Sequence, residues 1–185
     1  MQDDTGLRTL TFTATREDYR IAWLAALAIT IHIAESMLPS PLPGIKPGLA
    51  NVVTIAALLL YGWRAALWVS LLRVLVGSIL IGTFLTPTFV LSLAGAVAAI
   101  AVIGLGSLLP GRGLGPIGYS LLASMAHIAA QFYVAYRLFI PHDALFGLLP
   151  VLMTAAVCFG VASGLLVQAM MKHLNRDASP SDPAT

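Results

Sequence analysis

The sequence predicts an all-α membrane protein, a bundle of six transmembrane helices, and three observations carry that expectation. Of its 185 residues, 58% are hydrophobic and 10% charged, at a mean hydropathy of +0.90. A soluble domain has about a quarter of its residues charged. The apolar residues gather into six runs, at about 21–38, 47–63, 65–86, 88–109, 117–140 and 145–171. A helix crosses a bilayer with roughly 17–25 residues, so each run is long enough, the second only just. Finally, the cuts between the runs hold the glycines, prolines and charges that end helices.

Residues 1–20 are polar, and Thr15 followed by Asp18 is a helix-start pattern that sets the first helix near Arg16. Asp3 and Asp4 precede the first apolar run, and no small-residue cleavage site follows it, so that run is read as retained. Its Ala22-x-x-x-Ala26 spacing lets another helix approach closely. Between the first and second runs lies HIAESMLPSPLPGIKPGLANVVT, residues 32–54, which interrupts the apolar pattern with prolines, a carboxylate and a lysine. Gly62-Trp63-Arg64 separates the second run from the third, and Thr86-Pro87 the third from the fourth. The segment PGRGLGP at 110–116 holds a phosphate-loop-like GRGLG, but without a preceding strand or a Gly-Lys-Ser/Thr ending it reads as a tight turn. Pro141-His142-Asp143 precedes the sixth run, and the polar tail KHLNRDASPSDPAT follows it, with disorder expected over its last ten residues. Trp23, Trp63 and Trp68 suit interfacial anchoring. There is no internal repeat.

Charge orients the bundle. Six crossings put both termini on one side, together with Arg8, Arg16, Arg20, Arg64, Arg112, Lys172 and Arg176, seven of the ten basic residues. Lys46 and Arg137 fall on the other side, and Arg73 within the third helix. The positive-inside rule then places both termini in the cytoplasm. A net charge of +2 without a basic run excludes nucleic acid as a partner, and the lone Cys158 excludes an internal disulfide or cysteine metal cluster.

The polar residues inside the apolar runs carry the function. An arginine near the centre of a spanning helix costs about 2.5–3.5 kcal/mol on insertion, so Arg73 must face the bundle interior. It either recognises an anionic or carbonyl group of a ligand or pairs structurally with Glu35, whose level lies about 9 Å nearer the outer face. His32, Glu35 and Ser36 share one helix face. His-x-x-Glu is metal-ligand chemistry, but no second such pair exists, so a polar interhelical network is the preferred reading. Ser120, Ser124, His127 and Gln131 form a polar stripe on the fifth helix that lines a cavity or packs against other helices. The same two readings apply to Asn51 and Thr54. Glu35 and Asp143 are the only carboxylates outside the polar termini and their flanks, too few for a catalytic constellation or an aspartate-rich magnesium site. No cofactor or metal is expected.

The run ESMLPSPLPGIKPGLANVVT, followed by LLRVLVGSILIGTFLTPTFVLSLAG, resembles a membrane family known as the Gx transporter family and as heptaprenyl diphosphate synthase component I. The resemblance spans roughly 21–171 and rests on Glu35, Ser36, Pro39, Pro41, Pro43, Gly44, Lys46, Pro47, Gly48, Asn51, Arg73, Gly77, Ser78, Gly82, Thr83, Phe84 and Pro87. The transporter name implies a fold similar to the S components of energy-coupling factor vitamin transporters. In those proteins the loop after the first helix closes over an outward-facing ligand pocket. Small residues on the first helix, matched here by Ala22 and Ala26, contact a coupling membrane subunit, and separate subunits hydrolyse ATP. Relatives of the family accompany flavin- or quinone-linked redox systems, which implies a flavin or quinone precursor as ligand.

The synthase name implies aspartate-rich motifs that this chain lacks in its apolar runs, leaving at most an accessory subunit. The expectation is therefore a six-helix domain over 21–171 that binds a small molecule. Glu35, Ser36, Lys46, Asn51, Arg73, His127 and Gln131 are the candidate ligand contacts, and prolines 39, 41, 43 and 47 stiffen a lid. A polyprenyl diphosphate synthase accessory subunit and a scaffold of a membrane redox complex are the alternatives.

Overall fold

The computed structural model describes residues 14–37, 49–108 and 114–177, and they contain no strand. Six α-helices follow in order: α1 Arg16–Met37, α2 Leu49–Tyr61, α3 Trp63–Ile81, α4 Pro87–Ser107, α5 Pro116–Val134 and α6 Leu149–Asp177. The proline-rich stretch with Lys46, most of the polar N-terminal segment and the end of the C-terminal tail lie outside the described residues.

Local chemistry explains the boundaries. Thr15 and Asp18 cap α1 reciprocally: the Thr15 amide donates to Asp18 Oδ2 at 2.7 Å, and the Asp18 amide to Thr15 Oγ1 at 3.3 Å. One residue, Gly62, separates α2 from α3, and its φ of 85° is open to glycine at no steric cost. Gly82 closes α3 in the left-handed conformation, donating back to the carbonyls of Ile79 and Ser78. Pro87 and Pro116 occupy the first positions of α4 and α5, where a missing amide proton costs nothing. After α5 the chain makes a π-helical turn, Ala135–Phe139, then a 3₁₀ turn, Asp143–Leu148. Phe146 stacks edge-on against both Phe132 and Tyr136, tying that connection to α5.

Close contacts at glycines give the packing register. On α6, a Cβ at Gly160 would lie 3.0 Å from Leu121 Cα, and one at Gly164 2.5 Å from Ile117 Cα. These two glycines form a small-xxx-small face that lets α6 lie antiparallel on the α5 backbone. Gly95 and Gly106 of α4 receive the rings of His127 and Tyr119, so α4 and α5 are antiparallel too. Gly77 of α3 faces the His32 ring of α1. Trp63 packs on Gly104 and donates Nε1–H to the Ile100 carbonyl at 3.4 Å, so its indole polar group is directed into the bundle.

The apolar core is divided. Ile55, Leu58, Ala66, Ile103, Tyr119 and Val167 join α2 through α6. Ala28, Val53, Ala57 and Val69 bind α1, α2 and α3, and Val74, Phe89 and Ala96 bind α3 to α4. Large apolar side chains such as Trp23, Leu80, Leu105 and Leu165 point outward, as lipid contact demands and water forbids. The chain is a multi-pass membrane protein. Among the described residues, four stretches are long and apolar enough to cross on length and composition: α1, α3, α4, and α6 with the turn before it. Helix α2, at 13 residues, spans about 20 Å. Helix α5 has 19 residues, but its polar stripe lowers its hydropathy.

Because Gly164 has backbone rather than a flexible side chain against it, Gly164→Leu is expected to lower stability by about 1–3 kcal/mol or more. Thermal unfolding of purified protein checks this, with Gly147→Ala, which meets nothing within 4 Å, expected to leave the melting temperature unchanged.

Candidate functional site

A cavity of about 370 Å³ lies between the helices, and all six contribute to its wall. Helix α1 supplies His32 and Glu35, α2 supplies Asn51, and α3 supplies Arg73 and Val74. The first turns of α4 bring Thr88, Leu91 and Ser92. The whole α5 stripe, Ser120, Ser124, His127 and Gln131, faces in with Ile128. Beside α5, helix α6 presents Leu152, Ala155, Ala156 and Phe159, with Gly160 and Ser163 further along. From Ser120 to Gln131 the stripe rises about 16 Å, so the cavity is elongated along the bundle.

Arg73 and Glu35 are 6% and 4% exposed, and they are electrostatically coupled. The helix register makes this physical. His32 lies level with Gly77; Glu35 is about 4.5 Å above that level and Arg73 about 6 Å below it. An extended arginine stem and a glutamate together cover that difference. His127 lies within electrostatic range of Arg73 and His32. Its ring rests on α4 because position 95 is glycine; a Cβ there would come 2.7 Å from Cε1 and Nδ1.

Three polar atoms in this wall are buried without a hydrogen-bond partner: Arg73 Nε, Ser120 Oγ and His127 Nδ1. A buried donor or acceptor left unmade costs about 1–3 kcal/mol, and these three atoms, themselves closed off from the open space of the cavity, weigh against stability where they sit. Ser124 is different: its hydroxyl donates to the Ala156 carbonyl at 2.7 Å and joins α5 to α6 while lining the cavity. The wall has one carboxylate and no cysteine among the described residues, and no group of three His, Cys, Asp or Glu able to hold a metal ion occurs among them.

Of the residues expected at a site, Glu35, Asn51, Arg73, His127 and Gln131 come together around this cavity. Ser36 does not line it; its hydroxyl donates to the Ile33 carbonyl of its own helix at 2.7 Å. Lys46 lies outside the described residues. Ala22 and Ala26 are exposed on α1, away from the cavity. Thr54 is buried with Oγ1 unpartnered, but it is not part of the wall. Thr88, Ser92 and Ser163 were missed by the sequence reading. Thr88 and Ser92 are spaced i, i+4, a signal available but no different from ordinary helix glue. His32 was read as part of a network and lines the cavity as well.

Comparison with known proteins places this architecture. The family described as heptaprenyl diphosphate synthase component I matches residues 24–170. Among solved structures, the S component of a bacterial ECF transporter superposes with a TM-score of 0.54 at 13% identity, covering 86% of this chain and 95% of that one. No curated protein matches the sequence significantly. The shared fold and the extent of the family match, which takes in all six helices, lead to one conclusion: the chain belongs to the heptaprenyl diphosphate synthase component I family.

Proposed function

We propose that this protein is a membrane substrate-binding and transport protein that takes up a small, vitamin-like molecule from the outer side of a bacterial inner membrane. The observation that carries the reading is the cavity walled by all six helices, with Asn51, Arg73, His127 and Gln131 among its polar lining. In this reading all six helices cross, forming one domain over 21–171 between cytoplasmic segments 1–20 and 172–185. Glu35, Asn51, Arg73, His127 and Gln131 contact the ligand, with Ser36 and Lys46 near the mouth. The proline-rich stretch closes over them. A flavin or quinone precursor fits the resemblance noted from the sequence.

Energy comes from outside the chain. The exposed Ala22 and Ala26 are a surface for a coupling membrane subunit, itself joined to separate ATPase subunits. The described wall favours this over prenyl transfer, because such transfer needs paired carboxylates to hold magnesium and the cavity presents Glu35 alone.

Arg73→Ala is expected to weaken binding of the molecule retained by gently purified protein about ten- to a hundredfold, the worth of a buried charged hydrogen bond. Mass spectrometry of the retained molecule and a titration with it measure this; unchanged affinity reduces Arg73 to a structural role. For topology, in a Cys158→Ser background Thr185→Cys is expected to resist a membrane-impermeant maleimide in intact cells, and Asp143→Cys to react. The reverse pattern overturns the orientation.

A further inference from the structure

Resting on the substrate-binding reading, we infer that Gly95 and Gly77 are the size-determining positions of this cavity. Neither lines it; each acts from behind, by seating one of its lining side chains, His127 and His32.

The glycines divide by what a side chain at each would meet. At Gly160 and Gly164 of α6 the nearest atoms belong to the α5 backbone, so those two govern how closely helices pack. Gly104 and Gly106 of α4 back onto Trp63 and Tyr119, which are not part of the cavity wall. Gly95 and Gly77 differ from both groups. The three atoms nearest a Cβ at Gly95 all belong to the His127 ring, Cε1 and Nδ1 at 2.7 Å and Nε2 at 2.8 Å. At Gly77 the only atoms within 4 Å are His32 Cδ2 at 3.1 Å and Nε2 at 3.9 Å. These rings line the cavity from α5 and α1, respectively.

The consequence follows from contact distances. Non-bonded carbons settle about 3.5–4.0 Å apart, so an alanine at position 95 needs the His127 ring to retreat by about 1 Å. At position 77 the His32 ring needs to give only about 0.4 Å. A ring at the end of a side chain turns about two bonds and yields before a helix backbone does. Behind His127 there is no room to yield into: α4 occupies that side, and Nδ1 has no accessible surface. Close-packed neighbours do not compress to absorb the ring, so it moves into the void it lines. That narrowing falls where His127 is within electrostatic range of Arg73 and His32, at the polar part of the wall.

The test places one reporter thiol in the wall and asks how large a reagent reaches it. In a Cys158→Ser background, Ala155→Cys puts that thiol on the α6 part of the cavity. The full chain in lipid nanodiscs is treated with methyl or benzyl methanethiosulfonate, two neutral reagents of different size, and modification is followed by intact mass. Gly95→Ala is expected to slow the benzyl reagent about tenfold and the methyl reagent less than about twofold, and Gly77→Ala to slow the benzyl reagent about two- to threefold. Adding His127→Ala to Gly95→Ala should return the benzyl rate to at least that of the parent chain, because the obstacle is the ring. Equal slowing of both reagents by Gly95→Ala indicates a merely structural role and overturns the inference. So does a benzyl rate that Gly95→Ala leaves unmoved, a failure of His127→Ala to restore it, or a thiol that neither reagent reaches. Should Gly95→Ala alone prevent folding, the double variant must fold and react at no less than the parent rate; its failure is equally decisive. The thiol reports room and not uptake, so these outcomes leave the uptake reading standing. A purified chain that retains no small molecule overturns that reading alone.

Discussion

The burial of two charges, Arg73 on α3 and Glu35 on α1, within electrostatic range of each other constrains what surrounds them. An arginine deep in a lipid-spanning helix is tolerated only where the bundle offers it opposite charge or polar groups. Their attraction favours α1 beside α3. Gly77 eases the approach, because a Cβ there would lie 3.1 Å from His32 Cδ2 and push that ring aside. Once α1 and α3 are joined in this way, α2 bridges them through Val53 and Ala57, and the remaining helices close round the polar end.

The cavity follows from how the apolar core is distributed. The largest cluster ties α2 through α6 together near Tyr119 and Val167, while α5 and α6 are drawn close by Gly160 and Gly164. Packing that tight at one level cannot continue where α5 carries histidine and glutamine. There the helices part, and the stripe faces a void.

Much of this was legible in the sequence for clear physical reasons. Arg73 announced itself by cost, since no neutral explanation accommodates an arginine among leucines. The α5 stripe announced itself by period, because 4-3-4 spacing leaves a helix only one polar face. The Thr15–Asp18 pattern did the same for the start of α1, where the cap is local. What stayed hidden was set by partners. Thr88, Ser92 and Ser163 are small enough to pack or to line, and only the neighbouring helix decides which. Ser36 looked equivalent to Glu35 by spacing, yet its short side chain found a carbonyl on its own helix first. Gly160 and Gly164 stood in plain view at small-xxx-small spacing, but glycine is common in such segments, and its meaning depends on the backbone opposite.

The contact between Gly95 and His127 extends these relations. The imidazole occupies the volume that a side chain on α4 would otherwise fill, so its position is held from behind, by a residue that never meets the cavity. A single methyl at position 95 would drive the ring forward into the void and narrow it without altering one lining residue. The size of this cavity is thus adjustable from the outer layers of the bundle, and related chains with identical cavity walls can differ in the room they leave through changes at a glycine one helix away.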